Sequence, residues 1–152
     1  MRLITTITFI ILFSTSLLAE LLKPTPEINP EEVVKIQLSS LMNNNDPYLN
    51  AGIEQTWEFA HPSNRAFTGP IQRFTQMMYA PSYAVMLDHK KHDIIEVKLD
   101  KNIAYFFIEL TSIDGKMFGF KWTLEKVKEE GGFKDCWMTT AVSTPMPLST
   151  SS

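Results

Sequence analysis

Apolar positions recur at helical spacing from residue 30 to about residue 80, and beyond Pro81 they alternate with polar ones. In "PEEVVKIQLSSLMNNN", Val33, Ile36, Leu38 and Leu41 form one apolar side. Asn29 stands where an N-cap accepts a backbone N–H, Pro30 suits the first turn, and Glu31 and Glu32 lie near the positive helix end. Asn43, Asn44 and Asn45 predict the end of this helix. A second helix is predicted from about Pro47 to Ala60, capped by Asp46, with Leu49, Ile53, Trp57 and Phe59 making its apolar contacts. A third is predicted to begin at Pro70 behind Thr68 or Gly69, to carry Ile71, Phe74, Met77 and Met78, and to close at Pro81. The stretch between the last two, "HPSNRAFTGP", reads as a rigid joint.

Five runs rich in Val, Ile, Phe, Tyr, Trp and Thr follow: "YAVMLDH", "HDIIEVKLD", "NIAYFFIELTS", "KMFGFKWTLEKVKE" and "GFKDCWMTTAVST". Asp-Gly in "IDGK" predicts a tight hairpin turn, and "EEGG" a second connection. Helices first and antiparallel strands after predict an α+β domain, with N-terminal helices packed on a curved antiparallel sheet of about five strands, a cone-shaped roll. Residue parity places Ala104, Phe106, Ile108 and Leu110 on one face of the middle strand and Glu109 on the other. Phe118, Phe120, Trp122 and Leu124 share a face on the next strand, and these files read as core.

Outside that domain the pattern changes. Residues 1–19, "MRLITTITFIILFSTSLLA", run from one Arg through an uncharged apolar stretch to small residues, the order of a secretory signal. The expected destination is the secretory pathway or the exterior; a membrane anchor and a plastid leader are the alternatives. Residues 20–29, which lead into "KPTPEINP" at residues 23–30, read as a Pro-rich linker, residues 30–143 as the roll, and residues 144–152 as a disordered tail.

Composition narrows the chemistry. With 20% charged residues, net charge -3 and no Lys/Arg run longer than Lys90-Lys91, the chain has no footprint for a phosphate backbone, so no nucleic-acid partner is expected. Membrane contact is expected only through the N-terminal segment. A single cysteine, Cys136, excludes an intrachain disulfide and reads as buried and inert. "DHKKHD", residues 88–93, has no standard metal spacing and reads as a solvated turn. Nucleotide loops, hydrolase elbows and zinc motifs are absent from the sequence, so no cofactor and no metal is expected.

The strings "VVKIQLSSLMNNND", "AGIEQTWEFAHPSNRAFTGPIQRFTQMM", "YAVMLDH" and "GFKDCWMTTAV" carry a resemblance to an uncharacterised domain family of bacteria and plant plastid proteins. That family is expected to take the nuclear transport factor 2-like fold of the SnoaL-like superfamily. The resemblance implies a roll whose relatives include isomerases, dehydratases, polyketide cyclases and non-catalytic adaptors. Enzymes on such a roll hold a small apolar substrate in the cone beside an inward Asp, His or Tyr. Here His61, Glu109 and Tyr83 are the catalytic candidates, and Arg65, Trp57, Phe106 and Trp122 the ligand-binding ones. Ser63, Asn64 and Tyr79 are further polar groups near the mouth. For His61 the competing role is capping or bracing the joint, for Arg65 holding loop carbonyls, and for Glu109 an outward-facing position. The sequence therefore favours a non-catalytic domain that binds an apolar small molecule or a protein partner, with an isomerase, dehydratase or cyclase as the alternative. A homodimer through the sheet is the third expectation.

Overall fold

The computed structural model describes residues 20–148, so the expected leader lies outside the described residues. The domain is α+β: five helices and a curved, unclosed sheet of five antiparallel strands. Helix α1 (Pro30–Met42) begins as its sequence predicts, with the Asn29 side chain accepting from the Glu32 N–H at 2.9 Å. Its buried side, Val33, Val34, Leu38 and Leu41, lies against the sheet core.

Helix α2 (Ala51–Glu58) starts later than predicted, and its N-cap is Asn50 rather than Asp46. The reason is Asn44, which is 1% exposed and does more than end α1. Its Oδ1 accepts the Ile53 N–H at 3.0 Å, its carbonyl accepts the Gly52 N–H at 2.9 Å, and its own N–H donates to Asp88 Oδ1 at 3.1 Å. First-turn donors of α2 are thus satisfied from the end of α1, which fixes where α2 can begin.

The joint is itself partly helical. Helix α3 (Pro62–Thr68) is capped by His61, and α4 (Ile71–Tyr79) follows with Pro70 at its N-cap, one residue later than predicted. Pro81 starts the short α5 (Pro81–Ala84) instead of closing the helical region. The predicted first strand, "YAVMLDH", is therefore corrected to α5 and turns. Ala80 O accepts from Tyr83 and Ala84, Tyr83 O from Met86, and Ala84 O from Leu87, so local turn bonds replace a sheet ladder. "DHKKHD" is also not a solvated turn, since His89 is 2% exposed.

The sheet runs β1 (Lys91–Leu99), β2 (Ile103–Thr111), β3 (Met117–Lys126), β4 (Trp137–Val142) in spatial order, with β5 (Met146–Leu148) also on β3. Five strands are reached with a different set from the predicted one, because part of the expected tail is β5, paired through Met117↔Leu148 and Gly119↔Met146. Pairing of this edge satisfies backbone groups that a loose tail would leave to water. The β2–β3 loop turns on Gly115, whose φ of 86° is the left-handed conformation that glycine adopts freely. Between β3 and β4 the chain needs residues 127–136, and Val127 and Cys136 from this connection form a small buried cluster with Met138 of β4.

Parity holds on both central strands. Ala104, Phe106, Ile108, Leu110, Phe120, Trp122 and Leu124 are at most 1% exposed and face the helices. Residues 20–29 are not a free tether. Leu22 exchanges two hydrogen bonds with the Gln55 side chain, N–H to Oε1 at 2.7 Å and Nε2 to carbonyl at 2.9 Å, while Pro24 is buried and Ile28 packs on the core. A proline-rich strap loses little entropy on docking, because its backbone is already restricted.

Candidate functional site

Between the helical layer and the inner face of β3 and β4 lies a cavity of about 80 Å³. Its apolar wall is Leu41, Phe74, Met77, Met78 and Met86; Gln37, Thr56, Asn64, Thr68, Tyr83, Trp122 and Thr139 supply the polar wall. α1 and α2 bring Gln37 and Thr56 together, and Gln37 Nε2 donates to the Thr56 carbonyl at 3.1 Å. Gln37 Oε1 accepts from Thr139 Oγ1 at 2.7 Å and from Trp122 Nε1 at 3.1 Å. Trp122 also reaches Thr139 Oγ1 at 3.1 Å. This buried network joins α1, α2, β3 and β4 and gives the indole a fixed orientation at the cavity floor.

At the other end, α3 is tied to β4. The chain between α2 and α3 forms a bridge with β4, through His61 N–H to Thr139 O at 2.9 Å and Thr139 N–H to Phe59 O at 2.8 Å. Asn64 Nδ2 adds a bond to Thr139 O at 3.1 Å. Tyr83 Oη donates to the Val142 carbonyl at 3.1 Å, and burial pushes its phenol above the usual range. Tyr83 is thus the ionisable side chain on the cavity wall, and it holds its proton.

Of the catalytic and ligand-binding candidates named from the sequence, Tyr83 and Trp122 line the cavity, and so does Asn64 from the polar groups placed near the mouth. The others have different work. His61 Nδ1 accepts from the Ser63 N–H at 3.1 Å as the cap of α3; burial holds its imidazole below the ordinary value, with Glu125 and Glu129 opposing. Arg65 donates from Nε to Ala60 O at 3.0 Å and from one terminal nitrogen to Trp57 O at 2.9 Å and Glu58 O at 3.0 Å. Its guanidinium lies 5.1 Å from the Trp57 ring centre and 5.4 Å from that of Phe133. Trp57 in turn packs on Phe74 at 5.1 Å. Phe106 is core, and Glu109, registered with Asp93 and Gly119, is half-buried on the outer sheet face.

Arg65 closes the C-terminal end of α2, where carbonyls lack intrahelical partners. Arg65→Met is expected to lower unfolding free energy by about 2 kcal/mol in urea titration, the scale of charge-assisted hydrogen bonds lost together. Arg65→Lys is expected to recover little of it, because an ammonium cannot reproduce the planar fork. Unchanged stability in Arg65→Met would remove the bracing role.

Gln37, Thr56, Thr139 and Met86 escaped the sequence reading, and Met77 and Met78 entered it only as apolar contacts of a helix. Gln37 falls on the buried side of α1 within an otherwise apolar file, and such a polar intruder was the one available signal. The fold and site together define an α+β domain with a partly open cavity of mixed polarity and no charged lining residue. No protein-family model, curated protein or solved structure matches the chain. Among the described residues no helix is long and apolar enough to cross a membrane, and no group of three or more His, Cys, Asp or Glu is placed to hold a metal ion.

Proposed function

We propose that the protein is a non-catalytic binding domain that holds a small neutral molecule in the cavity between its helices and sheet. The observation that carries this reading is the lining: a flexible apolar wall faces hydrogen-bonding groups, and it contains no carboxylate, imidazole, amine or guanidinium. An ion entering would be desolvated without a partner, at a cost of several kcal/mol. The isomerase, dehydratase or cyclase alternative is less well supported, because proton transfer in this cavity would fall to Tyr83, a phenol that retains its proton. Binding in the cone is also what the nuclear transport factor 2-like resemblance implies, and membership of that superfamily is part of the proposal.

Size sets the ligand. A cavity of about 150 Å³ admits benzene, so 80 Å³ suits a smaller ring or chain. Met77, Met78 and Met86 can enlarge it, since an unbranched thioether repacks at little cost. Pyrrole is a suitable probe. In full-length protein carrying 13C-methyl methionine, pyrrole is expected to shift the Met77, Met78 and Met86 methyl resonances saturably in the millimolar range, leaving Met42 and Met117 unmoved. Unmoved lining methyls up to the solubility limit, or uniform drift of all methyls, would overturn the reading.

A second copy of the chain on the outer sheet face is the lesser reading. Ile95 (45% exposed) and Tyr105 (38%) favour it by leaving apolar surface open there. The bulge between Glu96 and Lys98 and the charges along β1 oppose pairing through the strand edge itself.

A further inference from the structure

We infer that the cavity selects hydrogen-bond donors: its ligand is a small neutral molecule bearing an O–H or N–H, an alcohol, amide or azole, rather than an ether, ketone or hydrocarbon. The inference rests on the binding reading above and adds the chemical class of the ligand.

It follows from counting hydrogens. A hydroxyl has one hydrogen and two lone pairs, so once its hydrogen is taken by a fixed acceptor it can only accept. All four hydroxyls on the cavity wall are in that state. Thr56 Oγ1 donates to Gly52 O at 2.8 Å, Thr68 Oγ1 to Asn64 O at 3.0 Å, Tyr83 Oη to Val142 O at 3.1 Å, and Thr139 Oγ1 to Gln37 Oε1 at 2.7 Å. The indole N–H of Trp122 is shared between Gln37 Oε1 and Thr139 Oγ1. One amide hydrogen of Gln37 goes to Thr56 O and one of Asn64 to Thr139 O.

What remains is unequal. Lone pairs are left on Thr56 Oγ1, Thr68 Oγ1, Tyr83 Oη and Asn64 Oδ1, against one further hydrogen on each of two amides. Each hydroxyl is held in this sense by a backbone carbonyl or a buried amide oxygen. Reversing it would give up that hydrogen bond, a loss of about 0.5–1.5 kcal/mol. The polarity of the wall is therefore set by the main chain of α2, α3 and β4 and by Gln37, and a ligand must conform to it. A ligand offering only lone pairs meets oxygen at four positions and can bond only to the two remaining amide hydrogens, whereas one offering a hydrogen completes a bond at any of the four oxygens.

Pyrrole and furan test this, being five-membered rings of nearly the same shape that differ in N–H against O. Furan is the more hydrophobic, so a merely apolar cavity would prefer it. The methionine methyl titration is expected to give pyrrole at least about tenfold tighter binding than furan, the equivalent of one hydrogen bond of about 1.4 kcal/mol. In Thr68→Val and Tyr83→Phe, each removing an acceptor at the half-buried end, the preference for pyrrole over furan is expected to shrink. Furan binding equally or more tightly in the parent protein would overturn donor selection and leave the binding reading standing. A preference that persists undiminished in the Thr68→Val/Tyr83→Phe double variant would also overturn it as assigned to these oxygens. Failure of both rings to move the lining methyls would instead remove the binding reading on which the inference rests.

Discussion

Gly52→Ala is expected to destabilise the domain by about 3 kcal/mol or more, the upper range for overpacking a site that cannot relax. A Cβ there would stand 2.2 Å from the Ser40 carbonyl oxygen, 2.8 Å from its carbon and 2.9 Å from Asn44 Cα. All three are backbone atoms, so no side chain can swing aside. The clash pushes α2 away from α1 at the point where Gly52 N–H meets Asn44 O, and it separates Gln37 from Thr56 one turn further on. Urea unfolding is the measurement, with Gly132→Ala as control, because nothing lies within 4 Å of a Cβ at that position. The control is expected to stay within about 0.5 kcal/mol of the parent. Equal stability of the two variants would show that the helices do not cross this closely.

The second large effect is acid sensitivity through His89. Its Nδ1–H donates to Met86 O at 2.7 Å, which leaves Nε2 as the acceptor from His92 Nδ1–H at 2.7 Å. Both ring nitrogens are engaged by the neutral form. Burial is the main reason its pKa falls to about 4; His92 adds to the depression, while the Met86 carbonyl and Asp88 oppose it. His92 is itself lowered by burial, with Asp93 opposing. The unfolded chain, with a His pKa near 6.5, takes up its proton first as pH falls. Stability from this group is therefore complete above about pH 6.5 and is lost as pH drops from there towards 4. The loss is expected to be about 2 kcal/mol by pH 5 and to approach about 3 kcal/mol near pH 4. His89→Asn keeps an N–H for the Met86 carbonyl but does not titrate. Its urea midpoint is expected to change much less than the parent's between pH 7.5 and 5. Parallel pH profiles for the two proteins would exclude His89 as the source.

Histidine 89 also shows where reading from sequence stops. Its charged neighbours, Asp88, Lys90, Lys91 and Asp93, give the surroundings of a surface turn. It is buried because Asp88, at φ 55°, caps α1 through Leu41 O and receives the Asn44 N–H, which turns the chain inward. Neither contact is visible in a local window. The candidate site behaved likewise. Tyr83 and Trp122 could be named because an aromatic near a turn and an aromatic on a core file are conspicuous. Thr56 and Thr139 look like ordinary helix and strand residues, and what makes them a polar wall is Gln37, 19 and 102 positions away from them.

By itself the sequence determined the start of α1, the pairing of β1, β2 and β3, and which face of the central strands is apolar. Capping and alternation act between residues a few positions apart, so their energetics are written locally. Tertiary structure decided that "YAVMLDH" is helix and turn, that residues 20–29 and 146–148 pack against the domain, and that a cavity remains under α4. Those outcomes depend on which backbone groups find partners across long loops, and on whether side chains from seven elements fill the space between the helical layer and the sheet.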